Sequence, residues 1–157
     1  MKQKLYIEST IPSYLTARRS RGLIVAAHQE ITQEWWEKRK NDFDIYISQF
    51  VLDEVGAGDP EASKKRLNAI EEFEQLDITD DVAGLAEALV AKGAIPPNAP
   101  TDAAHIAVAA VHSMQFLMTW NCTHIANAEI SSVVKKICKS HGFECPIICT
   151  PEELMGG

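Results

Sequence analysis

The sequence of 157 residues predicts an α/β domain with a mainly parallel central β-sheet. Short apolar runs, typical of buried strands, alternate with longer segments of helical spacing. This alternation produces βα units, whose strands lie side by side and point in the same direction. Because no internal repeat or low-complexity linker divides the chain, we expect a single domain over residues 1–157.

The elements of the first half follow from local patterns. Lys4–Ile7 is a short β-rich run, and Pro12 marks the helix that follows it. The next elements are a helix over Leu23–Lys40, a strand over Asp44–Ser48, a helix over Gln49–Val55 and a charged helix over Pro60–Leu76. The apolar residues of the Leu23–Lys40 helix have the spacing of an amphipathic helix: Leu23, Ala27, Ile31 and Trp35.

The second half continues the alternation. A short strand is expected at Asp77–Thr79, and the helix after it ends before Gly93. The remaining elements are helices over Asp80–Lys92, Thr101–His112 and Ala128–His141, and strands over Gln115–Trp120 and Pro146–Cys149.

Composition and charge exclude several classes of protein. Apolar residues make up 46% of the chain, and no apolar stretch has the length of a membrane span. The first residues lack the apolar run of a signal peptide, so we expect a cytoplasmic protein in a reducing compartment. The net charge of −7 argues against a protein that coats nucleic acid by bulk electrostatics.

The four cysteines, Cys122, Cys138, Cys145 and Cys149, are expected to be thiols. The segment from Cys138 to Cys149 also contains His141, so its ligand types suit zinc. Its spacing fits no common zinc module, and we therefore expect ordinary buried thiols.

Four polar residues stand where the carboxyl ends of parallel strands meet. Glu8 follows the first strand, Glu54 lies in the helix after the second, Asp102 opens a helix, and Asn121 follows the Gln115–Trp120 strand. Carboxylates brought together raise one another's pKa, and a cation relieves their repulsion. Hard oxygen ligands favour Mg²⁺ or Mn²⁺. Each residue also has an ordinary structural role available, as a helix N-terminal acid, an exposed helix charge or a turn former.

Four segments resemble the acidic motifs of PIN domains: Leu5–Thr10, Val51–Val55, Thr101–Ala107 and Leu117–Asn121. The closing segment Pro146–Leu154 is similar to the last strand of that family. The resemblance covers nearly the whole chain and is strongest to VapC-like toxins of type II toxin–antitoxin systems. It implies a three-layer α/β/α sandwich, a Mg²⁺- or Mn²⁺-dependent ribonuclease acting on RNA, an antitoxin partner and a homodimer.

The resemblance also implies roles for individual residues. Glu8, Glu54 and Asp102 correspond to metal ligands, and Asn121 to the fourth catalytic position. A hydroxyl from Ser9 or Thr10 supports the first acid. Glu8 and Asn121 both stand where the family usually has Asp, and a neutral Asn oxygen predicts weaker metal affinity than a site with four acids.

Further residues are candidates for supporting roles. His105 lies one helical turn after Asp102, and we expect it to orient that carboxylate or to pack behind it. His124 is a candidate RNA contact. The basic run Arg18, Arg19 and Arg21 follows the Glu8 segment and is a candidate contact for RNA backbone or an antitoxin. Trp35 and Trp36 face different directions, so we expect one core residue and one surface residue that could contribute to a homodimer.

Two other functions compete with the nuclease. A PIN fold with altered acids could serve as an RNA-binding or protein-binding module without turnover. A Rossmann-like small-molecule binder is less favoured, because no glycine-rich phosphate loop follows a strand.

Overall fold

A computed structural model describes residues 1–156 as a three-layer α/β/α sandwich. Its central sheet has five strands, β1 (Gln3–Ile7), β2 (Phe43–Ser48), β3 (Glu74–Leu76), β4 (Phe116–Met118) and β5 (Ile147–Cys149). The spatial order is β3-β2-β1-β4-β5, and every neighbouring pair is parallel. The prediction of an α/β fold with a parallel sheet is confirmed.

Seven helices connect these strands. They are α1 (Thr10–Thr16), α2 (Leu23–Arg39), α3 (Gln49–Val55), α4 (Pro60–Ile70), α5 (Asp80–Ala91), α6 (Pro100–Val111) and α7 (Ala128–Ser140). The core is continuous across the sheet, and β1 lies at its centre with Leu5, Tyr6 and Ile7 fully buried. Helix α6 is buried over eight consecutive residues, five of them alanines, and the small side chains allow close packing against α5 and the sheet.

The predicted boundary between α4 and β3 is wrong. The helix ends at Ile70 rather than Leu76, and the strand is Glu74–Leu76 rather than Asp77–Thr79. Phe73 continues the helical spacing of apolar residues, but its ring packs against Trp36 of α2 instead. Pairing with β2 then fixes the strand, with Tyr46 opposite Glu74.

The buried face of α2 also differs from the predicted one. Gln29, Thr32 and Trp35 are buried, whereas Leu23 is 88% exposed. Polar residues occupy this buried face because their side chains form hydrogen bonds there. Gln29 hydrogen-bonds the loop between α1 and α2, and the Thr32 hydroxyl accepts a hydrogen bond from the Trp120 ring.

The two tryptophans of α2 divide as expected. Trp35 is fully buried, and its ring N–H donates to the Leu154 carbonyl at 3.1 Å. Trp36 is partly buried, with its ring centroid 5.8 Å from that of Phe73.

Within residues 1–156, no helix combines the length and apolar character that crossing a bilayer requires.

Burial at the centre of the sheet predicts the cost of shortening a core side chain. Leu117 of β4 is fully buried, so Leu117→Ala should lower the free energy of unfolding by about 2–5 kcal/mol. Leu23→Ala is the matched control, and its exposed side chain should change stability by less than about 0.5 kcal/mol. Urea denaturation of both variants measures the difference; equal stabilities would contradict this assignment of the core.

Candidate metal centre

The four predicted site residues, three acids and Asn121, all lie at the carboxyl end of the sheet. Glu8 follows β1 directly, Glu54 lies in α3 immediately after β2, and Asn121 follows β4. Asp102 lies in the first turn of α6, where a carboxylate interacts favourably with the helix dipole. The fold therefore places these side chains at the edge where ligands of open α/β sheets bind.

Glu8 is buried, and a single oxygen carries its contacts with the protein. Its Oε1 accepts hydrogen bonds from the Thr10 backbone N–H at 3.0 Å, from the Thr119 hydroxyl at 2.7 Å, and from the Thr10 hydroxyl. Its side chain is only 3% exposed. These three donors replace the water that this oxygen loses on burial.

Glu54 is held from two sides. Its Oε1 contacts the Ser9 hydroxyl and the Nε2 atom of His105, which is fully buried. Burial raises the pKa of Glu54, but hydrogen bonds from His105 and Ser9 together lower it by more. The pKa therefore lies below its ordinary value. Glu54 is therefore ionised at neutral pH.

A chain of hydrogen bonds behind Glu54 fixes the orientation of His105. The Nδ1 atom of His105 is 2.7 Å from the Tyr6 hydroxyl, which is 2.7 Å from the Ser48 hydroxyl. Burial raises the pKa of Tyr6, so this phenol remains protonated. Since ionised Glu54 only accepts, Nε2 of His105 carries the hydrogen of their bond, while Nδ1 pairs with the Tyr6 hydroxyl. His105 thus positions Glu54, and its Nε2 lone pair is not free to bind a metal.

Asp102 has its own histidine partner. Its Oδ2 is 2.8 Å from Nδ1 of His124, and the backbone N–H of His124 donates to the Asn121 side-chain oxygen at 3.1 Å. The Asn121 backbone N–H donates to the Thr119 hydroxyl, which in turn donates to Glu8. A continuous chain of hydrogen bonds therefore joins Asp102 to Glu8 across the end of β4.

Each of the three carboxylates has one oxygen held by the protein and one without a protein partner. Throughout the described residues, 1–156, no hydrogen bond reaches the second oxygen of Glu8, Glu54 or Asp102. No buried side-chain nitrogen or oxygen in this part of the chain lacks a partner, so the second oxygens of Glu8 and Asp102 contact solvent, and Glu54 is itself an exposed residue. A set of free, accessible carboxylate oxygens is what a hard divalent cation requires.

No lysine or arginine relieves the charge of this cluster. The ion pairs that Lys and Arg form within residues 1–156 all involve other acids: Glu30, Glu34, Asp42 and Glu72. Potential ligand atoms of Glu8, Glu54 and His105 lie within 4.8 Å of one another. Two carboxylates at that distance repel by about 3 kcal/mol at an effective dielectric constant near 20, before screening by salt. The residues therefore fit a bound Mg²⁺ or Mn²⁺.

The structure assigns some predicted roles differently. Thr10 supports Glu8 as expected, but Ser9 binds Glu54 instead. His105 contacts Glu54 rather than Asp102, because its ring points toward β1 and α3. Asp102 lies outside the group of ligand atoms within 4.8 Å of one another.

The other predicted residues lie around this group. The Asn121 side-chain oxygen accepts the backbone hydrogen bond from His124, so it stabilises a turn. His124 pairs with Asp102 through Nδ1. Arg18, Arg19 and Arg21 lie in the exposed loop between α1 and α2.

Sequence reasoning missed the residues that hold the carboxylates from behind. Tyr6 and Ser48 are strand residues whose hydroxyls point to His105, and Thr119 supports Glu8. A hydroxyl at the end of a buried apolar strand was the available signal for Ser48 and Thr119. For Tyr6 the sequence gives no signal, since tyrosine is common in strands.

The cysteines do not form a second metal centre. All four are free thiols. Within residues 1–156, the group of side chains whose potential metal-ligand atoms lie close together contains no cysteine. Burial raises the pKa of the Cys149 thiol to about 12, and the hydrogen bond that Cys145 donates to Cys138 raises the pKa of Cys145. Cys138 and Cys149 are buried, Cys145 is partly buried, and Cys122 is exposed.

Comparison with known proteins identifies no family. No protein-family model matches the chain, and no curated protein is significantly similar to it.

The chain of hydrogen bonds behind Glu54 predicts the effect of removing one hydroxyl. Tyr6→Phe leaves Nδ1 of His105 without its hydrogen-bond partner and loosens the orientation of Glu54. Mutating residues that support metal ligands typically costs 10–100-fold in affinity, and we expect a loss of about tenfold for Mn²⁺ by isothermal titration calorimetry. Tyr46→Phe is the control, since Tyr46 lies on neighbouring β2 and forms no side-chain hydrogen bond within residues 1–156. Equal Mn²⁺ affinity in the two variants would refute the role of Tyr6.

Proposed function

We propose that this protein is a metal-dependent endoribonuclease that hydrolyses RNA phosphodiesters, as the PIN resemblance implies. The observation that carries the proposal is the set of three carboxylates, Glu8, Glu54 and Asp102. Each has one oxygen held by the protein and one accessible, and none has a Lys or Arg partner within residues 1–156.

Glu8 and Glu54 would hold the cation, Mg²⁺ or Mn²⁺, and Asp102 would bind it directly or through water. A divalent cation at this position would polarise a phosphodiester and lower the pKa of a bound water for attack. The chain itself supplies orientation. Thr10 and Thr119 fix Glu8, His105 and Ser9 fix Glu54, and His124 fixes Asp102.

Water reaches the carboxylates from the solvent side only. The inner side is filled by Tyr6, Ser48 and His105, which are buried and hydrogen-bonded to one another. An attacking water therefore comes from the edge of the sheet, where the free carboxylate oxygens are. His124, paired with Asp102 through Nδ1, retains Nε2 for a hydrogen bond to substrate or water.

The biological role in the proposal rests on the resemblance alone. By this resemblance, the protein would be the toxin of a type II toxin–antitoxin pair. Its partners would be an antitoxin and a second copy of the chain. Trp36 is a poor candidate for the homodimer contact, because Phe73 and Lys40 of the same chain already cover its ring. Leu23 and Ile24, at the start of α2, are the apolar residues of that helix that remain largely exposed.

One observation favours a second function. The side-chain oxygen of Asn121 is engaged by a backbone N–H, so the fourth catalytic position contributes no free charge. A site with three acids binds a second cation more weakly than a site with four. The competing proposal is therefore a PIN fold that binds RNA or protein without turnover.

Removing one carboxylate distinguishes these proposals. Asp102→Asn keeps the shape of the side chain but removes its charge, and we expect RNA cleavage with Mn²⁺ to fall by at least about a hundredfold. The control is Asp53→Asn, an exposed acid next to Glu54 whose carboxylate contacts only Gln49. It should cleave like the wild type.

The assay is cleavage of a mixed RNA pool by purified protein with Mn²⁺, with EDTA as the blank. If Asp102→Asn cleaves as fast as the wild type, the proposed site is wrong. If the wild type binds RNA but does not cleave it at any concentration of Mn²⁺ or Mg²⁺, the binding module replaces the nuclease.

A further inference from the structure

Three nearly parallel aromatic rings lie beside the carboxylates. The rings of His28 and Trp120 are stacked, with centroids 3.9 Å apart and planes 9° from parallel. The Tyr14 ring lies beside both, with its centroid 6.2 Å from that of Trp120 and 6.4 Å from that of His28. The three residues come from α1, α2 and the segment after β4, so the fold assembles this stack from distant parts of the sequence.

Trp120 attaches the stack to the metal centre. Its backbone N–H donates to the Thr10 hydroxyl at 2.8 Å, and that hydroxyl donates to Glu8. Its ring N–H donates to the Thr32 hydroxyl at 2.8 Å. Both hydrogen bonds lock a residue that is only 7% exposed, so the stack has a fixed position next to Glu8.

The two partly exposed rings, Tyr14 and His28, have free polar atoms. Tyr14 and His28 are partly exposed, and within residues 1–156 neither the Tyr14 hydroxyl nor a ring nitrogen of His28 takes part in a hydrogen bond. Because no buried side-chain nitrogen or oxygen in this range lacks a partner, these atoms reach solvent. They are available as donors and acceptors for the edge of a bound base.

The loop between α1 and α2 joins the helices that carry Tyr14 and His28, and it adds positive charge. Gln29 fixes this loop, because its side chain accepts from the Ser20 backbone N–H at 2.9 Å and donates to the Arg18 carbonyl at 3.0 Å. Arg19 lies 3.9 Å from the exposed Glu30 carboxylate, and no ion pair within residues 1–156 involves Arg18 or Arg21. Free guanidinium groups suit phosphate oxygens.

We propose that Tyr14, His28 and Trp120 form a base-stacking subsite for single-stranded RNA, with Arg18 and Arg21 contacting its backbone. This inference rests on the proposed function, since it names the part of the same site that binds the substrate. Aromatic rings stack with any unpaired base, so the subsite selects for single strands rather than for one sequence. Bases of a duplex are stacked on each other and cannot reach the rings.

The test measures RNA binding in EDTA, so that it does not depend on cleavage. The probe is a fluorescein-labelled single-stranded RNA of eight adenosines, and its affinity is read by fluorescence anisotropy. His28→Ala should weaken binding about tenfold, because stacking on one aromatic residue has an effect of that order. His28→Phe retains a ring and should bind within about threefold of the wild type.

Two further variants complete the design. Tyr14→Leu removes a second ring but retains an apolar side chain toward the core, and it should also weaken binding. His112→Ala is the matched control, since His112 lies at the opposite end of α6 from Asp102 and should leave the affinity unchanged. Circular dichroism melting confirms that each variant is folded, and His28→Phe and Tyr14→Leu keep the proposal testable if His28→Ala is not.

The outcomes separate this inference from the nuclease. Equal affinity of wild type, His28→Ala and Tyr14→Leu for the single strand overturns the stacking subsite, even if Mn²⁺-dependent cleavage is present. Equal affinity of the wild type for the single strand and for a duplex of the same length also overturns it. Ring-dependent binding without cleavage in Mn²⁺ upholds the subsite and overturns only the nuclease.

Discussion

Repulsion between carboxylates that lack a lysine or arginine partner is the constraint on which the carboxyl end of this sheet depends. Glu8 and Glu54 bring ligand oxygens within 4.8 Å of each other, and no Lys or Arg within residues 1–156 neutralises them. The protein binds one oxygen of each through hydroxyl, backbone and histidine groups. An external cation on the other oxygens would turn this unfavourable arrangement into a stable one.

The supporting residues explain why the site needs the whole fold. Tyr6 from β1, Ser48 from β2 and His105 from α6 meet only because these elements are adjacent in the core. The buried hydrogen-bond chain they form has every member satisfied, and such networks fix the geometry of their neighbours more rigidly than exposed ones. Stability of the core and orientation of Glu54 are therefore linked.

The sequence predicted the fold more completely than the site. Strands and helices follow from apolar runs and helical spacing, which are local properties, and Glu8, Glu54 and Asp102 could be placed at the carboxyl end by topology alone. The errors arose where tertiary contacts override local pattern. Phe73 continues the periodicity of α4 but packs on Trp36, and Gln29 is buried because it serves a loop. Partners such as His124 for Asp102 depend on side-chain direction, which the sequence does not contain.

The most direct test of the central claim is the position of a bound ion. Crystals grown with Mn²⁺ and measured near the manganese absorption edge show the metal in an anomalous difference map. The account predicts a peak within about 2.5 Å of carboxylate oxygens of Glu8 and Glu54, with Asp102 binding it directly or through water. No peak at these carboxylates, or a peak only at the cysteines of the C-terminal segment, would contradict it.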